Sequence, residues 1–342
     1  MAFRNTLAVA AAAGSAATSM AARPAHASEA LFGYLYTTEV MPAGAVEVEQ
    51  WVTDKIGQEN GHFNELQLRT EIEFGVTDRF QVAGYLNTKY QNETATPGDA
   101  GLKFDGFSFE AIWQLMNPYK DSFGLALYAE PSIAPDETEF EFKLLAQKNL
   151  LDGRLVLAAN AVAEWVVEDQ DNITDPLTGH VIAAGGTEKI SELQLLLGAS
   201  YRVAPNWFLG AEYRYVTEFE GLGFDERAES ANYIGPTVHF AKGKWFATLT
   251  WLTRFGANDY GPQPVLPPGS FEPDVTTNGL RLKVGVDLGV NDGTDPPLGV
   301  ARTGAGGARR NARARQGLSH RRGRAEAAFC RRRPFRRAAG QA

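Results

Sequence analysis

From Leu66 the chain alternates. Leu66, Leu68, Thr70, Ile72, Phe74 and Val76 share one parity, and Glu65, Gln67, Arg69, Glu71, Glu73 and Gly75 share the other. Successive side chains on a strand point to opposite faces, so one face is apolar and the other charged. Thr77-Asp78-Arg79 makes a tight turn. The alternation then resumes, with Phe80, Val82, Gly84, Leu86, Thr88 and Tyr90 set against Gln81, Ala83, Tyr85, Asn87 and Lys89. Each arm has about the length of a tilted membrane-crossing strand. The pair reads as one hairpin of a transmembrane β-barrel, with lipid outside and a polar lumen.

The pattern recurs along the chain. A first strand over 45–55 has ambiguous faces: Val46, Val48 and Val52 suggest the lipid side, yet Gln50 shares that face and Trp51 opposes it. After the opening hairpin, strands are predicted over 104–116, 123–130, 139–148, 155–167, 190–203, 207–219, 232–240, 245–255 and 279–288. Pro131 should end the pairing of the fifth, and Asp152-Gly153 should turn the chain after the sixth. Connections after even-numbered strands are tight. Those at 91–102, 168–189, 220–231 and 256–278 are long, as external loops of such barrels are. The expected fold is all-β: a transmembrane antiparallel up-and-down β-barrel of about twelve strands over 45–288, with both termini in the periplasm.

Aromatic residues band at both expected interfaces. Phe74, Phe80, Phe123, Trp207 and Trp245 fall beside the short turns. Tyr90, Phe107, Phe140, Trp165, Tyr215 and Phe255 fall near the longer loops. Rings with one wet edge favour these levels. A soluble β-sandwich also alternates, but its strands need neither this length nor this banding.

The ends differ from the middle. Arg4, an Ala-rich apolar stretch and Ala25-His26-Ala27 read as a secretory signal peptide over 1–27. Residues 28–44 read as a periplasmic lead-in. The last 42 residues hold 13 Arg and one acid, against 20 Lys+Arg and 40 Asp+Glu in the first 300. Residues 289–342 therefore read as a disordered Arg-rich tail. A grip on anionic lipid or nucleic acid is one reading, and an aberrant extension is favoured over it. The single cysteine, Cys330, lies in this tail, so no intramolecular disulfide forms.

The inward face is charged. Its pore-lining candidates are Arg69, Glu71, Glu73, Glu141, Lys143, Glu164, Glu192, Arg202, Glu212, Arg214, Arg254, Arg281 and Lys283. Twelve strands enclose less space than a porin, so these charges either fill a narrow barrel or line a pore whose acidic excess favours cations. The leading function is a narrow channel or transport protein for small solutes with weak cation preference. The runner-up is a structural or surface-contact barrel with an occluded lumen. A barrel-embedded hydrolase is remote: the catalytic motifs sought are absent, and His239 reads as a lumen hydrogen-bonding residue with Thr237 as nearest hydroxyl. Asp169, Asp171 and Asp175 are spaced like calcium ligands. The loop has Thr174 and His180 where an EF-hand needs Gly and Glu, so it reads as a solvated acidic loop. No cofactor and no nucleic acid are expected. Expected partners are outer-membrane lipid and lipopolysaccharide, the barrel-assembly machinery and small solutes.

Four stretches carry a resemblance: GYLYTTEVMPAG at 33–44, FGVTDRFQVAGYLN at 74–87, YRVAPNWFLGAEYRY at 201–215 and KWFATLTW at 244–251. Together they resemble an uncharacterised family of Gram-negative outer-membrane proteins, over roughly residues 31–288. The resemblance implies a barrel with no assigned activity and no functional residues to transfer. It also implies a chain ending at an aromatic near Leu288, whereas this one runs on. A chain stopped at Leu288 is expected to insert and to resist heat as well as the full chain does. Comparing the heat-modified gel mobility of the two checks this; a truncated chain that fails to assemble places the tail inside the fold.

Overall fold

A computed structural model describes residues 30–57, 63–93, 101–169, 173–174, 181–183, 185–260 and 276–289. The expected signal peptide and the tail from residue 290 lie outside the described residues, as do His62, Asp171, Asp175 and His180. Among the described residues are fourteen strands, twelve of them in one closed barrel. The first six are β1 (Val46–Ile56), β2 (Phe63–Thr77), β3 (Phe80–Glu93), β4 (Gly101–Met116), β5 (Gly124–Ile133) and β6 (Glu137–Leu150). β7 (Leu155–Asp169) leads to a small separate hairpin, β8 (Ile173–Thr174) and β9 (Val181–Ala183). β10 (Thr187–Ala204), β11 (Trp207–Glu220), β12 (Arg227–Lys242), β13 (Trp245–Asp259) and β14 (Asn278–Asp287) complete the wall.

Every barrel strand pairs antiparallel with its neighbours, and β14 pairs with β1 from Glu47↔Asp287 to Ile56↔Asn278. Closure leaves no strand edge, which a bilayer demands because lipid offers no hydrogen-bond partner. The start of β1 and the end of β14 lie at the short-turn end. The tight turns depend on local residue chemistry: Leu151, Asp152 and Gly153 all take positive φ, as does Gly243 between the two lysines of the β12–β13 turn.

The expected alternation holds around the wall. Ile72 is 57% exposed on the outside, whereas its neighbours Glu71 and Glu73 are buried inside. Leu195, Leu249 and Leu282 also face out, and Leu68 does so half-buried. Both expected aromatic bands lie outside, from Trp245 at one end to Phe255 at the other. So large an apolar exterior suits hydrocarbon rather than water. The ambiguity of β1 resolves in favour of its valines: Glu47, Glu49, Trp51 and Thr53 point inward. Gln50 faces out with its amide satisfied, accepting from Thr70 Oγ1 at 2.7 Å and donating to the Arg69 carbonyl at 3.0 Å.

Several expectations need correcting. Pro131 does not end β5, which pairs with β6 as far as Ile133↔Thr138. A residue's N and C=O point to the same neighbour, so proline disturbs one ladder and spares the other. The disturbed side is β4, where pairing skips from Ala111↔Ala129 to Ser108↔Ser132. Gly106 adapts there with φ 96°, and a Cβ on it would lie 2.2 Å from the Ile133 carbonyl oxygen. The connection expected over 220–231 is only residues 221–226, because β12 starts early at Arg227. The largest correction concerns residues 30–44. They were expected outside the barrel in the periplasm, yet residues 30–41 run inside the lumen, and exposed Ala43 and Gly44 join them to β1 at the short-turn rim.

The facing of the wall has a measurable consequence. Arg at Ile72, Leu195, Leu249 or Leu282 should cost ~2–4 kcal/mol near the bilayer midplane. Arg at Gln194, which lines the lumen, should be much milder. Urea-dependent refolding into lipid vesicles measures both, and a costlier Gln194→Arg means the facing is inverted. Glu71 is no mild control, because it is fully enclosed.

Candidate functional site

Residues 30–44 form neither helix nor strand, so their backbone needs partners that no ladder supplies. The inward side chains of the wall provide them. Glu212 on β11 accepts three successive amides: Gly33 N at 2.7 Å on Oε1, then Tyr34 N at 2.9 Å and Leu35 N at 3.1 Å on Oε2. Asn160 on β7 treats Tyr36 as a strand would, accepting its N–H at 2.7 Å and donating to its carbonyl at 2.9 Å. Gln147 on β6 accepts Thr38 N at 2.8 Å, and Gln114 on β4 donates to the Thr38 carbonyl at 2.7 Å. Gln81 on β3 accepts Met41 N at 2.9 Å. At the far end Thr248 on β13 donates to the Ala30 carbonyl. The segment thus climbs from the short-turn end and crosses the lumen, held by side chains of β3, β4, β6, β7, β11, β13 and, through Arg281 to the Gly33 carbonyl at 3.3 Å, β14.

Apolar contacts reinforce these bonds. Leu31, Phe32 and Leu35 pack with Val156, Ala158, Val162, Leu196 and Phe208, all inward residues of β7, β10 and β11. Val40 packs with Ile112, Ala126, Tyr128 and Leu145 on β4, β5 and β6. Phe32 is fully buried, and Gly198 makes room for it: a Cβ there would lie 2.8 Å from the ring. At the root, Tyr119 in the β4–β5 turn donates to Glu39 at 2.7 Å. Its ring is half exposed, but burial at the hydroxyl and the Glu39 carboxylate beside it push the phenol above its ordinary range, which keeps it a donor.

Above the segment the lumen opens into a cavity of about 1450 Å³, lined by fourteen acidic and seven basic residues among those described. Its floor is Tyr34, Tyr36 and Trp51. Cations gather at this level. The Arg281 guanidinium lies 4.1 Å from the Tyr34 ring centroid, Arg69 lies 4.1 Å from Tyr85, and Lys143 Nζ lies 4.2 Å from Tyr36. Lys283 Nζ lies 3.5 Å from the Trp51 centroid. Aromatic faces stabilise cations held out of water.

All thirteen predicted lumen residues point inward, but they do different things. Glu141, Lys143, Glu164, Glu192, Arg214, Arg69 and Arg281 line the cavity. Arg69 pairs with Glu130, Lys143 with Glu141, and Arg214 with Glu192 at 3.6 Å. Glu212 holds the N-terminal segment. Glu71, Glu73 and Lys283 are buried near the short-turn end. Arg202 packs its guanidinium 5.1 Å from the Phe208 ring, and Arg254 is half-buried on the inward phase of β13. His239 is buried and bonds Thr248 at 2.8 Å, so its partner is this hydroxyl across the ladder rather than Thr237. Asp169 accepts from Thr187 Oγ1 at 2.7 Å.

The sequence matches, over residues 24–286, a family of unknown function, DUF6662. The chain belongs to that family. No curated protein matches it. Among solved structures it is similar to the COG4313 outer membrane channel from Pseudomonas putida F1, at 12% identity and TM-score 0.50, covering 73% of this chain and 98% of that one. The NanC porin matches with TM-score 0.44 at 8% identity, covering 71% and 100%. The translocator domain of the autotransporter NalP from Neisseria meningitidis matches with TM-score 0.44 at 12% identity, covering 71% and 87%. At 12% identity the similarity to the Pseudomonas putida channel shows a shared barrel fold and nothing finer.

Sequence reasoning missed the polar residues that hold the family member's N-terminal segment: Asn160, Gln147, Gln114 and Gln81. It also missed Glu47 and Glu49, because Gln50 blurred the faces of β1. A signal for the segment was present. The inward parity of β5, β6 and β7 is apolar at Ala126, Leu145, Val156, Ala158 and Val162. Water does not favour such a wall, so something else must cover it. Among the described residues two groups of carboxylates come close enough to share an ion: Glu49, Glu71 and Glu73, and Glu139, Glu141 and Glu164.

Glu212 is the strongest single anchor of the segment. Charge-assisted hydrogen bonds contribute roughly 1.5–3 kcal/mol each. Glu212→Ala should therefore speed amide exchange at Gly33, Tyr34 and Leu35 by about 100-fold or more, while leaving the strand amides protected. Exchange read by mass spectrometry on the folded barrel checks this, and unchanged protection at those three amides contradicts it.

Proposed function

We propose that this protein is a Gram-negative outer-membrane channel for small solutes, held shut at rest by its own N-terminal segment. One observation carries the reading: residues 30–41 lie across the lumen, with their backbone groups bound by side chains of the wall. The closed barrel, its apolar exterior and its banded aromatics support the membrane location. The short turns and both termini face the periplasm, and the longer connections face outward. Lipid surrounds the wall, lipopolysaccharide meets its outer rim, and the barrel-assembly machinery inserts it. The acidic majority around the cavity concentrates cations at the outer mouth. Arg69, Lys143, Arg281 and Lys283 at the floor oppose that bias, so the preference is weak and screened by salt.

A second reading keeps the segment in place permanently and makes the outer loops the working part, with surface contact as the function. The apolar docking of Leu31, Phe32, Leu35 and Val40 favours it, since four packed side chains resist undocking. Hydrolase chemistry finds no support at His239, whose neighbour is Thr248 within a buried network reaching the Ala30 carbonyl.

Planar-bilayer recordings separate these readings. The full chain should show rare or small openings. A chain lacking residues 30–41 should conduct several-fold more, with a reversal potential on the cation side that weakens in high salt. Equal conductance with and without the segment contradicts the gating role. A silent deletion variant that still folds supports the second reading, and anion selectivity overturns the charge assignment.

A further inference from the structure

The short-turn half of the wall carries a charge cluster that the channel reading does not use. Across the β1–β2 ladder Glu47 faces Glu73, and Glu49 faces Glu71. All four point inward and are buried. Carboxylate oxygens of Glu49, Glu71 and Glu73 lie within 4.8 Å of one another. Two oxygens bound across a calcium ion at ~2.3–2.6 Å each are about that far apart, so one ion can reach all three.

Nearby donors are already committed. Trp51 Nε1 donates to Glu49, and the Tyr85 hydroxyl and Gln81 amide donate to Glu110 at 2.6 Å and 3.4 Å. Glu71 is in a different state. It is 0% exposed, and no donor from outside the cluster reaches either of its carboxylate oxygens, whose one partner is the neighbouring carboxyl of Glu73. One oxygen of Glu73 shares that condition. Lys283, stacked on Trp51, offsets at most one of these charges. Buried carboxylates without donors or countercharge are strongly unfavourable, so the cluster needs bound protons or a bound cation.

We propose that Glu49, Glu71 and Glu73 bind a hard divalent cation of the calcium type. The donors are all carboxylate oxygens, a set that suits calcium or magnesium over softer metals. Three clustered carboxylates favour calcium, because magnesium keeps several waters and takes one or two carboxylates. The ion clamps β1 to β2 beside the β1–β14 seam. It also braces the root of the N-terminal segment, where Gly44 N donates to the Gly75 carbonyl and Gly75 N to that of Ala45. The other carboxylate group, Glu139, Glu141 and Glu164, differs because Lys143 already pairs with Glu141.

Terbium(III), a luminescent stand-in for calcium, tests the site on the full chain folded in detergent. Trp51 touches Glu49, so exciting tryptophan should sensitise emission from a terbium ion bound there. The expected result is saturable emission displaced by calcium. Trp51→Phe should remove most of the emission even at terbium concentrations that saturate the site, with calcium affinity by equilibrium dialysis lowered by about 10-fold because the bond to Glu49 is lost. Glu71→Gln, close in shape and without the charge, should weaken both by at least the ~10-fold lost when even an outer partner of a ligand is removed. Glu164→Gln in the cavity should leave the Trp51-dependent signal unchanged, and heat-modified gel mobility confirms that each variant is folded. Absence of calcium binding means the cluster holds protons instead and overturns the proposal. So does a folded Glu71→Gln protein with undiminished Trp51-dependent emission.

Discussion

Backbone hydrogen bonds that cannot be left to water organise this molecule twice. In the wall they impose closure: β14 pairs with β1 along its whole length, leaving no edge toward lipid. In the lumen the same demand falls on a segment with no ladder of its own. There Glu212, Asn160, Gln147, Gln114 and Gln81 substitute for a neighbouring strand. These five polar side chains come from five strands, so the path of the segment exists only once the barrel has closed.

The lumen is layered by charge. An acidic vestibule opens toward the long-loop end. A waist of aromatic rings and stacked cations follows, and buried glutamates of β1 and β2 lie toward the short turns. Each layer limits the others. Arg69 serves Glu130 and the faces of Trp51 and Tyr85 together. Tyr36, supplied by the N-terminal segment, meets Tyr128 at 5.0 Å and Trp51 at 6.3 Å. Moving the segment therefore opens the waist and also strips three cations, Lys143, Lys283 and Arg281, of a ring they face.

Much of the wall was legible in the residues because period-two alternation is a local property. Ile72 and Glu71 declare their faces by themselves. Strand ends were less legible: β10 runs from Thr187 and β12 from Arg227, beyond where alternation is clean, because pairing with a longer neighbour extends a strand through polar positions. Gly33–Gly44 was misplaced for a different reason. Its sequence carries no period, and the side chains that bond it lie 35 to 248 residues away, so no short window on the chain contains the interaction.

By itself the sequence determined a closed antiparallel wall of about twelve strands, its inner and outer faces, and the charged character of the lumen. These follow from alternation and turn chemistry, which act between neighbours in the chain. Only the tertiary structure decided what occupies the lumen and which inward charges share a place. It sent Glu212 to hold amides, set Arg281 on a tyrosine from the opposite end of the chain, and gathered Glu49, Glu71 and Glu73 with no donor from outside the cluster for Glu71. The physical reason is closure: once the sheet curls shut, residues remote in sequence face one another across a confined lumen, and partnership there depends on the three-dimensional arrangement of the strands rather than on spacing along the chain.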